Sequence, residues 1–414
     1  MAGIPPARPP FRGSGTQLGR QRGALQAGLR RRRQEGAGLM NARIEQLTPS
    51  AGKAQALTRM ALVGPLPPPS GGMANQSLQL AKLLRAEGID VTFVQINAPY
   101  QPAWAGRIKG VRAVCRMLPY LVQLWRAAGK VQLMHMMANS GWSWHLFAAP
   151  AIWIAHLRGT PIVVNYRGGE ADNFLRRSAG WVRPSMQRAT SLIVPSAFLE
   201  HVFGNYGFTP KIVPNIVDLS RFAAAPSGGQ RPAPHLLVTR NLEPIYDNAT
   251  ALRVLVKVRT RYPDARLTIA GSGELRAELE QLAQELGVAS HVTFTGRVDT
   301  VNVPALYRSA DIMLNPSLID NTPNSVLEAL ASGVLVVSTN VGGVPYLVED
   351  GRTALLVPPQ DPDAMAQAVL RLLEDRALAA RLRDAGTSYV EQYSWASVRP
   401  RLLAAYRNAL GECQ

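Results

Sequence analysis

The sequence predicts an α/β protein with two doubly wound domains whose parallel sheets face a central cleft. From residue 60 onward, short apolar β-branched runs alternate with helix-length segments. This alternation is typical of parallel strands joined by crossover helices. After Val213 a stretch rich in Pro, Gly and Ala has no apolar period, which is typical of a linker. The alternation restarts at His235, so a second domain of the same class is expected.

Eleven strands follow from the apolar runs. Five are predicted in a first domain (60–218), at 60–64, 90–96, 131–136, 161–165 and 191–194. After a linker at 219–234, six more are predicted in a second domain (235–394), beginning at His235, Ala265, His291, Asp311, Val334 and Ala354. A last helix is expected within 395–414. Ligands of such sheets bind outside the carboxyl ends of the strands, so the site is expected between the domains.

Residues 1–59 precede the first predicted strand. Residues 1–60 hold 11 Lys or Arg against 2 acids, with no periodic apolar pattern. We predict a disordered basic tail. The alternative is an upstream extension that is absent from the working protein, with Met60 near the true start. No apolar run typical of a secretory signal is present in it.

The formal net charge of +17 is unevenly distributed. Residues 61–230 hold 16 basic and 6 acidic residues, whereas residues 231–414 hold 18 and 20. A basic balance is typical of proteins that bind nucleic acid, anionic membranes or anionic substrates. Nucleic acid is not expected, because the Arg-rich tail lacks interleaved aromatic residues and the rest has no known reader motif. Two cysteines exclude a disulfide framework and favour a cytoplasmic protein.

The stretch Val131–Leu157 has no formally charged residue and is long enough to cross a bilayer. It contains His135, Asn139 and Pro150 among other polar or helix-breaking residues. We therefore favour a buried strand, turn and helix, with a transmembrane helix as the alternative.

A basic amphipathic helix is predicted around residue 115. Its basic face holds Lys109, Arg112 and Arg116, and the opposite face holds Ile108, Val111, Cys115, Leu118 and Val122. No acid lies between Val91 and Gly169. Such a helix is typical of docking to an anionic membrane surface, here the inner face of the plasma membrane. The alternative is a core-facing helix with a solvated basic side.

Two carboxylates in the second domain, Asp320 and Glu328, are separated by seven residues. Asp320 falls in a loop between Pro316 and Pro323, and Glu328 lies about one turn into the following helix. Carboxylates at these points can face one cleft and accept hydrogen bonds from hydroxyl-rich ligands such as sugars. The alternative is a turn Asp and a helix-start Glu favoured by the dipole.

Several further motifs surround this pair in a fixed order: TR at 239, IAGSGE at 269, TGRV at 295, EALASG at 328 and STNVGGVPYLVEDG at 338. In this order they resemble the retaining glycosyltransferases of family 4, which have the GT-B fold, over about residues 60–410. The resemblance implies that the last helix, within 395–414, crosses back onto the first domain. It also implies a nucleotide-diphosphate sugar as donor and a hydroxyl acceptor. Because the basic amphipathic helix suits a membrane surface, we expect this acceptor to be lipid-linked or an envelope polysaccharide. The resemblance implies no cofactor and no metal, and none of the six histidines has metal-ligand spacing.

The resemblance also implies roles for individual residues. Arg240 would clamp the donor diphosphate, Glu328 would accept hydrogen bonds from the ribose, and Asp320 would contact the donor sugar in place of the family's usual glutamate. The donor-binding positions that it implies are Gly71, Gly72, Gly271, Gly273, Arg297, Asn321, Thr322, Pro323, Asn324 and Ser325.

The chain departs from the family at three positions. No lysine follows Arg240 until Lys257, Tyr346 stands where a glutamate is common after the GG pair, and Arg167 stands near the place of a histidine. We expect Arg167 to bind phosphate or an acceptor anion. These departures leave open a non-catalytic relative or a sugar-nucleotide epimerase.

Two further residues of the first domain are weaker candidates. Glu170 offers a carboxylate close to Arg167 in the sequence, or is a plain helix-start acid. His135 ends a predicted strand and either faces the cleft or is a satisfied core histidine.

Overall fold

The computed structural model describes residues 56–68, 71–99, 111–223 and 233–411. The predicted basic tail up to residue 55, much of the predicted linker and Lys109 lie outside these ranges, as does the side chain of Arg112. Two parallel six-stranded sheets with flanking helices form the described part, which confirms the predicted fold class.

The first sheet contains six strands: β1 (Arg59–Gly64), β2 (Asp90–Gln95), β3 (Leu133–Ala138), β4 (Ile162–Tyr166), β5 (Ser191–Val194) and β6 (Lys211–Ile212). Its spatial order is β2-β1-β3-β4-β5-β6, with every pair parallel. The crossover helices are α1 (Gly72–Ala86), α2 (Val111–Ala128), α3 (Ala149–Leu157), α4 (Ala171–Met186) and α5 (Ala197–Asn205). Strand β6 has no counterpart among the predicted strands, because its two residues are too few to give a periodic signal.

The second sheet contains β7 (His235–Val238), β8 (Arg266–Ala270), β9 (Val292–Gly296), β10 (Ile312–Asn315), β11 (Leu335–Thr339) and β12 (Leu355–Val357). Its order is β12-β11-β10-β7-β8-β9. The helices around it are α6 (Asn248–Arg259), α7 (Arg276–Glu285), α8 (Val303–Arg308), α9 (Asn324–Ala331), α10 (Val344–Leu347), α11 (Pro362–Glu374) and α12 (Arg376–Tyr389). We call each sheet with its helices the first and the second domain.

The central strands of both sheets are buried on both faces, which explains why they are almost wholly apolar. Strand β3 is buried at all six residues, and β10 and β11 at every residue. One hydrophobic cluster lies on each face of each sheet. The strands therefore hold their carboxyl ends rigidly, and the loops that follow them carry the polar residues of interest.

Strand order reverses once in each sheet, and ligands of doubly wound sheets bind at such a switch point. In the second sheet the reversal lies between β7 and β10. Arg240 follows β7 and Asn315 ends β10. In the first sheet it lies between β1 and β3.

The last helix, α13 (Trp395–Ala409), packs against the first sheet rather than the second. Its residues Val398, Leu402 and Tyr406 share a buried cluster with strands β1, β3 and β4. At its start, Trp395 and Arg399 both bond the carboxylate of Glu87. The helix thus ties the end of the chain to the first domain.

The uncharged stretch from Val131 to Leu157 forms β3, a short π-helix (Trp144–Ala148) and α3. This is the strand, turn and helix expected from the sequence. Within the described ranges, no helix combines the length and apolar composition needed to span a bilayer.

Candidate active site

The Arg240 guanidinium is held at the switch point of the second sheet by polar groups from the neighbouring strand end. Its Nε donates to Asn315 Oδ1 at 2.9 Å, and its Nη2 lies 3.4 Å from Ser317 Oγ. The ring of Tyr246 covers the guanidinium, with 4.7 Å between Cζ and the ring centroid. Burial lowers the pKa of Arg240 from its usual value, and the side chain is fixed before any ligand arrives.

Asp320 forms an ion pair with Arg240. The Asp320 carboxylate contacts the Arg240 guanidinium, and both side chains are largely buried. The other carboxylate oxygen of Asp320 accepts the backbone N–H of Asn321 at 3.1 Å. Asp320 is therefore the counter-ion of Arg240 in this structure.

Glu328 lies in α9 and is hydrogen-bonded to a buried phenol. The Tyr307 hydroxyl donates to Glu328 Oε2 at 3.1 Å and lies 2.9 Å from Thr239 Oγ1. Burial raises the pKa of Glu328 to about 7, while the bond from Tyr307 and the charges of Arg221 and Arg240 oppose that rise. Asp320 thus contacts the Arg240 guanidinium directly, and the charge of Glu328 favours the protonated form of the same guanidinium.

Tyr307 and Arg221 are absent from the residues that sequence analysis singled out. Tyr307 is the penultimate residue of α8, in the text ALYRSAD, which has no distinctive spacing. Arg221 follows the PNIVDLS text. Only the fold brings either one near Glu328.

The paired glycines after β11 support the loop that carries Asp320. The N–H of Gly343 donates to the Asp320 carbonyl oxygen at 2.9 Å. A Cβ at Gly343 would overlap the Asn321 carbonyl, and one at Gly342, where φ is +53°, would overlap the Asp320 carbonyl. Glycine is therefore required here by close backbone approach and, at Gly342, by the left-handed backbone.

Gly271 and Gly273 serve a similar packing role after β8. A Cβ at Gly271 would overlap the Arg240 carbonyl oxygen, and one at Gly273 would overlap the Leu242 carbonyl. The Leu242 N–H donates to the Ser272 carbonyl at 3.1 Å. The assignment of Gly271 and Gly273 to the donor site remains a prediction, and the structure adds that these glycines permit the close approach of the segment from Arg240 to Leu242.

The start of α9 presents unsatisfied polar atoms. Asn321 Oδ1, Thr322 Oγ1 and Ser325 Oγ are buried and have no hydrogen-bond partner among the described residues. Pro323 caps the helix, which begins at Asn324. A buried polar group without a partner is costly, so these three atoms are candidates for hydrogen bonds that the described residues do not supply.

Amide side chains link the two domains beside this helix. The Asn321 side-chain amide donates to the Gly168 carbonyl oxygen. The Asn215 side-chain amide donates to Asn324 Oδ1 at 2.7 Å, and Asn215 Oδ1 accepts from Arg167 Nη1 at 2.8 Å. Asn215 belongs to the PNIVD text, which the resemblance covers, although its contacts cannot be deduced from that text.

A cleft of about 200 Å³ opens between the domains next to these bridges. Its lining comes from both domains: Gly169, Glu170, Ala171, Asp172, Asn173 and Phe198 on one side, and Leu318, Ile319 and Gly342 on the other. Phe198 also meets Tyr346, with ring centroids 5.8 Å apart. Tyr346, in the place of a common family glutamate, therefore makes an aromatic contact across the domains.

Three other predicted donor positions make no hydrogen bond to the site residues above within the described part of the chain. Gly71 caps α1 and Gly72 begins it, with open space at the Cβ position of both. Arg297 is exposed just after β9. Their assignment to the donor site remains a prediction.

His135 is a satisfied core histidine, the second of its two predicted roles. It is fully buried, with Nδ1 2.8 Å from the Tyr406 hydroxyl, and its Nε2 accepts from the Asn165 amide at 3.2 Å. Burial, together with the charge of Arg167, lowers its pKa to about 3. His135 is thus a neutral link between the first sheet and α13.

Two family models match the chain. One, described as "Glycosyl transferases group 1", matches residues 233–375, and the other, "Glycosyltransferase Family 4", matches residues 70–221. Phosphatidyl-myo-inositol mannosyltransferase of Mycolicibacterium smegmatis is 29% identical over 364 residues, which cover 82% of this chain and 91% of that protein. GDP-mannose-dependent alpha-(1-6)-phosphatidylinositol monomannoside mannosyltransferase of the same organism is 33% identical over 238 residues, or 53% of this chain and 59% of that protein.

Solved structures share the architecture. Sucrose-phosphate synthase from Thermosynechococcus elongatus has a TM-score of 0.66 at 21% identity, over 86% of this chain and 100% of that one. The Anabaena protein HepE, in complex with UDP and glucose, has a TM-score of 0.66 at 15% identity, over 84% and 99%. At these identities the likeness shows the fold, with two sheets in the GT-B arrangement. Because the two family models together span both sheets, this chain belongs to the group 1, family 4 glycosyltransferases and is a transferase with the GT-B fold.

Proposed function

We propose that this glycosyltransferase moves a hexose, with retained anomeric configuration, from a nucleoside-diphosphate sugar to a hydroxyl of a lipid-linked acceptor. The relatives' names include GDP-mannose as donor and phosphatidylinositol derivatives as acceptors, and favour a lipid over a free envelope polysaccharide. GDP-mannose is therefore the first donor to test. The observation that carries the proposal is the fixed Arg240 guanidinium at the switch point of the second sheet.

Arg240 suits a diphosphate for a physical reason. A buried cation whose direct ion-pair partner is a single carboxylate can exchange that partner for a phosphate oxygen, and charge-assisted bonds to guanidinium are strong and directional. During transfer, negative charge grows on the leaving diphosphate, and a fixed donor stabilises it there without reorganisation.

Glu328 and the start of α9 would hold the rest of the donor. A carboxylate accepts paired hydrogen bonds from a ribose diol, and Tyr307 keeps Glu328 Oε2 in place at 3.1 Å. The partnerless atoms Asn321 Oδ1, Thr322 Oγ1 and Ser325 Oγ offer further sites for sugar or phosphate oxygens. The displacement of Asp320 from Arg240 by the diphosphate would free its carboxylate for a sugar hydroxyl.

Retention is proposed to follow from substitution on one face. The bond between the anomeric carbon and the diphosphate oxygen breaks, the acceptor oxygen bonds the same face, and the acceptor proton passes to the departing phosphate oxygen. Once displaced from Arg240, Asp320 would contact a sugar hydroxyl, and this scheme does not require it as a covalent nucleophile. This scheme needs only positioning and charge stabilisation from the protein.

The donor assignment is tested with the full-length protein, GDP-mannose or UDP-glucose, and phosphatidylinositol vesicles. We expect Arg240→Ala to lower kcat/KM by about 100-fold, the typical cost of one transition-state donor. Arg253→Ala, an exposed arginine on α6 of the same domain, serves as the matched control and should retain full activity. Undiminished transfer by Arg240→Ala would overturn the assignment.

Membrane attachment is proposed through an exposed apolar surface of the first domain, which we call the aromatic face. It comprises Leu118, Val122, Trp125, Trp153, Leu157 and Trp181. These residues lie on α2, α3 and α4, which pack side by side, and Trp181 is 82% exposed. Arg158 lies over Trp125 and Arg188 over Trp153. Exposed tryptophan beside arginine suits the headgroup level of an anionic bilayer.

Flotation with vesicles of anionic and of neutral lipid tests this attachment. The double variant Trp125→Ala, Trp181→Ala should lose most of its binding to anionic vesicles, whereas Val301→Ser, an exposed apolar residue of the second domain, should retain it. Replacement of Lys109, Arg112 and Arg116 by acidic residues should reduce the salt-sensitive part of the binding to anionic vesicles. Equal binding by all variants would exclude this surface.

A further inference from the structure

Arg167 is a cation surrounded by uncharged partners. Its Nη1 donates to Asn215 Oδ1 at 2.8 Å and lies 3.5 Å from Gln76 Oε1, while its Nε donates to Asn165 Oδ1 at 3.3 Å. Nη2 has no hydrogen-bond partner among the described residues. Three side-chain amides thus orient the guanidinium and leave one nitrogen, with two N–H groups, for another group.

The position of Arg167 is the boundary between the domains. It follows β4 directly, and the next residue, Gly168, accepts a hydrogen bond from Asn321 of the second domain. Its partner Asn215 in turn bonds Asn324 at the start of α9. Arg240 contacts the same 320–324 segment through Asp320, so two arginines flank this segment, one from each domain.

The charge of Arg167 is not neutralised by the protein. Within the described ranges no carboxylate lies within ion-pair distance of it, whereas Arg240 has Asp320. Burial lowers the pKa of Arg167 to about 10, so the guanidinium still carries its charge at neutral pH. A partly buried charge without a counter-ion is costly, and a bound anion would relieve that cost.

We propose that Arg167 binds an oxyanion of the substrate, a carboxylate or phosphate group distinct from the donor diphosphate. This inference rests on the proposed function, which assigns the diphosphate to Arg240. Two sources can supply such a group: the C6 carboxylate of a uronic acid donor, or the phosphate of the acceptor lipid. In either case Arg167 selects an anionic substrate over its neutral counterpart.

Matched substrate pairs test the selection. The donor arm compares the binding of GDP-mannose with GDP-mannuronic acid, and of UDP-glucose with UDP-glucuronic acid, by titration calorimetry of the full-length protein. The acceptor arm compares phosphatidylinositol with an inositol lipid in which an uncharged ether replaces the phosphodiester, by transfer assay and by vesicle binding. We expect the wild-type protein to prefer the anionic member of one pair by about tenfold, the size of one charge-assisted hydrogen bond.

Variants at Arg167 assign that preference to its charge. Arg167→Gln should lose the preference for the anionic member of the pair, while Arg167→Lys should keep part of it. GDP or UDP affinity and the thermal midpoint report on folding, and if the Gln variant does not fold, the Lys variant is compared with the wild type instead. No preference in any pair, or a preference that survives in Arg167→Gln, would overturn the inference.

The two proposals fail in different ways. If the protein binds none of these donors, the proposed function itself is wrong. If the protein transfers sugar but shows no preference between the neutral and anionic members of each pair, only the assignment of Arg167 is wrong.

Discussion

The Tyr307 hydroxyl donates a hydrogen bond of 3.1 Å to Glu328 Oε2 in the interior of the second domain. This bond favours the ionised carboxylate, whereas burial disfavours it and raises the pKa of Glu328 to about 7. The charge of Glu328 is therefore adjustable near neutral pH, and the hydrogen bond from Tyr307 is one of the interactions that lower its pKa.

The first prediction concerns stability and pH. Because the pKa of Glu328 is raised on folding, the folded state binds more protons between about pH 4.5 and 7, so stability falls as pH rises through that range. Glu328→Gln keeps an acceptor for Tyr307 but removes the titration. It should raise the free energy of unfolding at pH 8 by at most about 3 kcal/mol and have little effect at pH 4. Urea unfolding at both pH values measures this, and an equal effect at both would contradict it.

The second prediction concerns ligand affinity. Loss of the hydroxyl in Tyr307→Phe should raise the pKa of Glu328 further, because the bond that lowers it is gone. If Glu328 binds ribose hydroxyls as a carboxylate, GDP affinity should fall at pH 7 and recover at pH 9. Titration calorimetry at the two pH values checks this. The matched control is Tyr262→Phe, a partly exposed tyrosine beyond α6, which should bind GDP like the wild type at both.

The third prediction separates nucleotide from sugar. Asp320 contacts Arg240 and so competes with any phosphate for that guanidinium. Asp320→Asn should bind free GDP or UDP several-fold more tightly, about 1 kcal/mol, yet transfer sugar more slowly because a sugar contact is lost. Its thermal midpoint should fall, since a largely buried ion pair loses one partner. Weaker binding of free GDP and UDP would show that Asp320 does not compete with the phosphate.

The sequence predicted eleven of the twelve strands because most of them are apolar runs bounded by loops, and the central strands are buried on both faces. The exception, β6, has two residues at the edge of the sheet. Its pairing depends on β5, and no local pattern could reveal it. The positions of the other strands along the sequence were predictable because buried strands need apolar residues.

The candidate site was only partly predictable. The sequence motifs identified Arg240, Asp320 and Glu328 as candidates. The position of Arg240 at the switch point of the second sheet explains why it can contact a ligand. The Asp320–Arg240 contact, the Tyr307 bond and the bridge through Asn215 depend on side chains that are far apart in sequence and meet only after folding. For His135 the sequence allowed two roles, because burial of a polar residue cannot be deduced from a strand pattern alone.

The last prediction concerns the backbone that supports Asp320. An alanine Cβ at Gly343 would overlap the Asn321 carbonyl oxygen, so Gly343→Ala must shift the loop that carries Asp320 or move α10. We expect a loss of about 1–3 kcal/mol in the free energy of unfolding, as for other overpacked sites, and a fall in transfer larger than the loss of folded protein explains. Gly180→Ala is the matched control, because its Cβ position in α4 is open and alanine favours a helix by about 0.5–1 kcal/mol. If both variants retained full stability and transfer, the close approach of Gly343 to Asn321 would not be what fixes the Asp320 loop.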